Sequence, residues 1–266
     1  MTHHATCLLA MAAIWFSTVA LGAQEARPLF DGATLSGWQR ADGQPITGGW
    51  EVVDGMIHLK TGGPRGGDIV TDRDYRDFDL EFEWKITANG NNGVKYRVRK
   101  YGKSMLGCEY QILDDAAYGE RLKGKGSTGS LYELYEPDES KVLLPPGQFN
   151  HSRIVVWGNH IEHWLNGRLI VSAEVGSPEW YSRLAESKFA QYEGFGENRS
   201  GKIMLTDHNT EVWFRNMWIK ELPAPETMLA AARGTQRASC RLAQGTRRRP
   251  AANLFARLRQ RCGRRR

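Results

Sequence analysis

"FDLEFEWKI", residues 78–86, decides the fold. Phe78, Leu80, Phe82, Trp84 and Ile86 alternate with Asp79, Glu81, Glu83 and Lys85. Successive side chains of a strand point to opposite faces, whereas a helix would need apolar residues three and four apart. Nine residues of strict alternation therefore predict a half-buried antiparallel strand with one wet face. The same period recurs in "NNGVKYRVRK" (91–100), where Val94, Tyr96 and Val98 oppose Lys95, Arg97 and Arg99. In "CEYQIL" (108–113), Cys108, Tyr110 and Ile112 oppose Glu109 and Gln111.

The runs are separated by turn signals. Asp54-Gly55 within "WEVVDGMIHLK" and Asn166-Gly167 within "IEHWLNGRLIV" suit two-residue hairpin turns that need positive φ, and Gly158-Asn159 supplies a third reversal. Further strands are expected in "GKIMLTDH" (201–208) and "EVWFRNMWIKEL" (211–222). About ten short strands without intervening helical patterns predict an all-β chain, a two-sheet antiparallel β-sandwich of jelly-roll type. One or two short helices are expected. Ser177 can cap "SPEWYSRLAESK", Pro178 suits its first turn and Trp180 and Leu184 share a face; "PETMLAAAR" after residue 224 is the second. A sandwich over residues 28–222 would bury roughly 70% of its unfolded surface, enough to fold without disulfide staples.

The ends of the chain read differently. Leu8–Ala23 is an apolar run closing on small residues, the profile of a signal peptide over residues 1–23, although "MTHHATC" lacks Lys and Arg. A periplasmic or secreted protein without a transmembrane domain is the expectation. The formal net charge is +6, yet residues 233–266 contain twelve Arg and no acidic residue, so residues 1–232 carry −6. Residues 223–266 are expected to be a disordered basic tail outside the fold. Such a tail attracts polyanions without selectivity, and only Phe255 offers a stacking face among its arginines, so no specific nucleic-acid partner is expected. Cysteines at 7, 108, 240 and 262 form no metal-binding or disulfide pattern.

Chemistry gathers in "CEYQILDD" (108–115). Glu109 and Gln111 on one strand face, followed by Asp114 and Asp115, are costly there unless water or a ligand uses them. "LTDHNTEVWFRN" adds Asp207 and His208 at a strand end, and "NNGVKYRV" adds Asn92, Lys95 and Arg97. Each has a bland reading, as a turn or a solvated face. No GxSxG, HExxH or P-loop pattern is present. Glu109, Asp114 and His208 are a candidate ligand set for a divalent metal ion, on ligand type alone; the sequence fixes no cofactor.

Nine stretches in order, "LFDG..LSGW", "W.V.DG.I", "FDLEFEWKI", "NNGVKYRV", "EYQILDD", "GSLYELYEP", "HWLNGRLI", "SKFA" and "DHNTEVWFRN", resemble the 3-keto-disaccharide hydrolase domain family across residues 28–222. The resemblance implies a concanavalin-like jelly roll and cleavage of a glycosidic bond in a sugar already oxidised to a ketone at C3. The family commonly has Gln and Gly flanking the Asp-His pair, where Thr206 and Asn209 stand here. The ketone makes the C2 hydrogen acidic, so the C1 substituent can leave by β-elimination and water can then add. That route needs a base, a partner for the enolate oxygen and an acid. The expected catalytic set is Glu109, His208, Asp207, Lys95 and Gln111. His208 or Glu109 serves as base, Lys95 or Gln111 steadies the enolate, and Asp207 orients the imidazole. Asn92, Arg97, Tyr132 and Trp164 are expected to contact substrate, and the 113–148 loop to shape the leaving-group side. A sugar 3-dehydrogenase is the implied partner in supply. The competing expectation is a lectin-like binding module of the cell envelope, since a fold alone does not decide function.

Overall fold

The computed structural model describes residues 25–227; the expected signal peptide and nearly all of the basic tail lie outside them. The described strands, in chain order, are β1 (Arg27–Pro28), β2 (Trp38–Arg40), β3 (Trp50–Val53), β4 (Met56–Leu59), β5 (Ile69–Thr71), β6 (Phe78–Ile86), β7 (Asn91–Tyr101), β8 (Ser104–Leu113), β9 (Asn150–Trp157), β10 (His160–Leu165), β11 (Arg168–Glu174), β12 (Lys202–Leu205) and β13 (Val212–Glu221). Two short helices, α1 (Asp115–Tyr118) and α2 (Pro178–Ala185), and three 3-10 turns complete the described elements. One sheet runs β11-β10-β9-β6-β13-β4-β3, with β1 added against β13; the other runs β2-β5-β12-β7-β8. All pairings are antiparallel. The expected two-sheet sandwich forms.

The alternation in β6 is realised without exception. Phe78, Leu80, Phe82, Trp84 and Ile86 are buried while their neighbours reach the other face. They meet the inner residues of the five-stranded sheet: Phe82 packs edge-on to Tyr110 at 5.9 Å and Phe78 edge-on to Tyr96 at 6.3 Å. Such aromatic pairs add about 1 kcal/mol each beyond the area they bury. The hairpins fall where the turn dipeptides placed them, with positive φ at Asp54, Gly55, Asn166 and Gly167. α2 starts on the Ser177 cap, whose hydroxyl accepts from the Trp180 N–H. The second expected helix begins at Pro225, and the rest of its expected span, after Thr227, lies outside the described residues.

β7 departs from the simple pattern. Arg97 has φ +48°, and the register slips beside it against both β8 and β12. The bulge turns Val98 away from the main core, so it packs with Val70 and Met204 on the outer side of the five-stranded sheet. Extra residues of this kind re-aim side chains. Arg97 itself is buried at the end of the sandwich, donating to Asp77 (3.1 Å) and to the carbonyls of Arg76 and Gly158 (each 2.9 Å). Its expected role in substrate binding is corrected: all three donor nitrogens serve the scaffold.

His163, from β10, sits between the sheets. Its Nδ1–H donates to the Gly129 carbonyl (3.0 Å) and its Nε2 accepts from the Tyr96 hydroxyl (2.8 Å). Burial lowers its pKa from 6.5 to about 4. A base with a depressed folded pKa is protonated more readily when unfolded, so stability is complete above pH 6.5 and falls as pH drops toward 4. The full effect is about 3 kcal/mol. Urea titrations between pH 4 and 7 are expected to show this loss, and His163→Gln to flatten that slope while lowering stability at pH 7; an unchanged slope in the variant contradicts the assignment.

Candidate functional site

The outer face of the five-stranded sheet carries the site. In β7 and β8, residues that face away from the core fall side by side: Lys95 pairs in register with Glu109, and Gly93 with Gln111. The Lys95 ammonium lies 3.9 Å from the Glu109 carboxylate, and both side chains are largely enclosed, 14% and 6% exposed. Enclosure strengthens their attraction relative to a surface pair, since water screens it less. Gln111 donates to the Asn91 side chain at 3.1 Å.

β8 would be an open edge were it not covered. The backbone of Gly129–Tyr132 bonds alongside it: the N–H groups of Gly129 and Tyr132 donate to the carbonyls of Gln111 and Glu109, and that of Gln111 to Ser130. This pairing encloses Glu109 and Gln111 on an outward face and brings Tyr132 beside them. From the 3-10 turn Lys188–Gln191, the Lys188 ammonium reaches the Tyr132 hydroxyl (3.1 Å) and lies 4.2 Å from its ring centre. Together these residues line a pocket of about 140 Å³ with Asn91, Lys95, Leu106, Gly107, Phe189 and His208.

Gly93 lies against the Glu109 carboxylate. A Cβ there would lie 2.2 Å from a Glu109 carboxylate oxygen, so the carboxylate occupies the space that any side chain at 93 would take. The Gly93 carbonyl accepts from both the N–H (3.1 Å) and the hydroxyl (3.3 Å) of Thr206, and its N–H donates to Asn92 Oδ1 (2.9 Å). Asn92 donates in turn to the Thr206 carbonyl at 2.6 Å. Two residues on from Thr206, His208 stands exposed at the pocket lip, without a hydrogen bond to another described residue.

Glu109, Lys95, Gln111, Tyr132 and His208 thus converge as expected. Four others do not. Asn92 is buried on the core side and ties β7 to Thr206, so it is a support and not a substrate contact. Trp164 lies in β10 of the other sheet, its Nε1–H donating to Glu162 (2.8 Å) beneath the Arg153 guanidinium. Asp114 caps α1: its carboxylate accepts from the N–H groups of Ala117 (3.3 Å) and Asn89 (2.9 Å). The Glu109, Asp114 and His208 metal set is therefore not assembled, and among the described residues no group of three metal-ligating side chains gathers elsewhere. Asp207 does not orient His208. Its carboxylate accepts from the N–H groups of Gly67 and Asn209 (each 2.8 Å) and pairs with Arg65, while its own N–H donates to Asp68. Burial pushes its carboxyl up, but the Asn209 and Gly67 donors and Arg65 outweigh that and hold it below the ordinary value. Asn91 and Lys188 escaped the sequence reading; the only signals were their places in "NNG" and "SKFA".

With this geometry in view, the relatives are informative. The 3-keto-disaccharide hydrolase of Bacteroides thetaiotaomicron is 30% identical over 224 residues, covering 73% of this chain and 77% of that protein. A crystal structure of a candidate glycosyl hydrolase from Parabacteroides distasonis is 34% identical, with a TM-score of 0.68, over 74% of this chain and 94% of that one. A second Parabacteroides distasonis structure, 24% identical with a TM-score of 0.59 and covering 75% and 100%, shares the fold. The family model for the 3-keto-alpha-glucoside-1,2-lyase-like domain matches residues 25–220, the whole sandwich, and the chain belongs to that family.

Proposed function

We propose that the chain is a hydrolase of 3-keto-glycosides, acting by removal of the C2 proton, β-elimination and hydration. The observation that carries this reading is the Lys95–Glu109 pair, 3.9 Å apart on the pocket floor, with His208 at the lip. Carbon C2 and the ketone oxygen on C3 are neighbours in such a sugar. A carboxylate and an ammonium at this spacing match them as base and enolate partner. Glu109 takes the C2 hydrogen, and the electron pair of that bond moves onto the C3 oxygen beside Lys95. Collapse of the enolate forms the C1–C2 double bond and breaks the bond from C1 to the leaving oxygen, which takes a proton from His208. Water then adds at C1, giving its proton back to His208, and Glu109 returns a proton to C2. Tyr132, held by Lys188, supplies a ring face against which the pyranose packs. Gln111, fixed by Asn91, offers its remaining amide atoms to sugar hydroxyls.

The substrate of this reaction must come from an enzyme that oxidises a sugar at C3, the class of sugar 3-dehydrogenases. The apolar segment Leu8–Ala23 supports a periplasmic or secreted setting for this chain. Among the described residues no helix is long and apolar enough to cross a membrane.

Glu109→Gln and His208→Ala are each expected to lower turnover of a 3-keto-disaccharide at least a hundredfold. The two separate in deuterium oxide: Glu109→Gln loses exchange of the C2 hydrogen, while His208→Ala keeps exchange and loses release. Wild-type rates in both variants refute the site, and the opposite exchange pattern reverses the two roles. Gly93→Ala is expected to lower turnover by about two orders of magnitude, the usual cost of misplacing a catalytic group by an ångström. Adding Glu109→Asp, whose shorter side chain clears the new methyl, should recover part of the loss; no recovery shows that Gly93 acts in some other way.

A further inference from the structure

On the far side of Arg65 lies a second cavity, of about 620 Å³, lined by Arg40, Thr47–Gly49 and Lys60–Arg65. It is joined to the site through two bonded steps. The Arg65 guanidinium contacts the Asp207 carbonyl and carboxylate, and Gly67 donates to the same carboxylate. The residue after Asp207 is His208, which lines the small pocket.

The two volumes divide the work. At 140 Å³ the pocket holding Glu109 is well below the roughly 300–1,000 Å³ that encloses a whole small ligand, and the second cavity falls inside that range. In the proposed reaction Glu109 and Lys95 address C2 and C3, so the group leaving C1 departs past His208. His208 follows Asp207 in the chain, and Arg65, which pairs with Asp207, lines the large cavity. Of the 113–148 loop, expected on the leaving-group side, residues 129–132 are instead seated along β8, at the opposite edge of the sheet from β2 and its Arg40.

We infer that this second cavity is the subsite for the leaving half of the substrate, and that its ligand is a second sugar ring or a similarly hydroxylated group. The inference rests on the function proposed above. The lining is rich in donors, with Arg40, Lys60 and Arg65, the hydroxyls of Thr47 and Thr61, and the backbone of Gly48, Gly49, Gly62 and Gly63. It contains no acidic and no large apolar residue. Three of its cations already neutralise carboxylates, Arg40 with Asp42, Lys60 with Glu51 and Arg65 with Asp207. That leaves hydrogen bonding, not net charge, as the currency of recognition, which suits sugar hydroxyls and suits an aromatic leaving group poorly.

Gly48 and Gly63 allow a direct test. A Cβ added at either meets nothing within 4 Å, and neither backbone lies in the left-handed region, so a tryptophan can be placed in the cavity lining without clash at its Cβ. The full chain, Gly63→Trp and Gly48→Trp are compared on a 3-keto-disaccharide and on methyl 3-keto-glucoside, with circular dichroism melting as the folding control. We expect the ratio of kcat/KM, disaccharide over methyl glycoside, to fall at least tenfold in each folded variant, mainly through KM. A ratio within twofold of wild type in both overturns the subsite while leaving the proposed reaction standing. Wild-type protein that cleaves neither substrate overturns the proposed reaction, and the subsite with it.

Discussion

A carboxylate can lie beside an ammonium on the outer face of this sheet only because the neighbouring strand residue has no side chain. Gly93 is that residue. The space its Cβ would claim is filled by Glu109, and its backbone carbonyl receives two hydrogen bonds from Thr206. One residue therefore fixes the Glu109 carboxylate by leaving room for it and fixes the strand end that carries His208 by binding it. Asn92 closes the loop by bonding to both Gly93 and Thr206. The arrangement is stiff because every member is a backbone atom or a short side chain on or next to a strand, and groups on strands are held more precisely than groups on loops.

The rest of the molecule serves this face indirectly. The eight-stranded sheet supplies a broad apolar surface against which β7 and β8 lay Val94, Tyr96, Tyr110 and Ile112, all buried. With the inner faces spent on the core, alternation leaves Lys95, Glu109 and Gln111 facing out, and the Gly129–Tyr132 and Lys188–Gln191 segments turn an open face into a pocket. Arg97 shows the cost of ignoring local irregularity. Its bulge is a bend in β7, and its guanidinium, paired with Asp77, holds that bend; removing one partner of such a buried pair typically costs 3–5 kcal/mol.

Much of this was legible in residue order. Period-two runs, turn dipeptides and the Ser177-Pro178 start gave the elements, because short-range geometry decides them. The facing of Lys95, Glu109 and Gln111 followed from alternation alone. What failed depended on contacts between distant segments. Alternation placed Arg97 beside Lys95, but a bulge is invisible in a sequence that keeps its alternating letters through it. Asp114 and Asp207 looked like chemistry because carboxylates near a site invite that reading; both are consumed by backbone N–H groups, at a helix cap and at the 65–68 loop. Trp164 sits next to the buried His163 in sequence, and no local signal says that its strand belongs to the sheet without the pocket. Lys188 was readable only as part of "SKFA", since nothing nearby in the chain points to Tyr132.

The proposed reaction depends on the ketone, through the acidity it confers on C2. The most direct test offers the wild-type protein a 3-keto-disaccharide carrying deuterium at C2, alongside the same disaccharide unoxidised. Release of reducing sugar from the keto form alone, slowed by the deuterium and accompanied by its loss to solvent, is the predicted result. Cleavage of the unoxidised sugar at a similar rate, or release with the C2 deuterium retained, would contradict it.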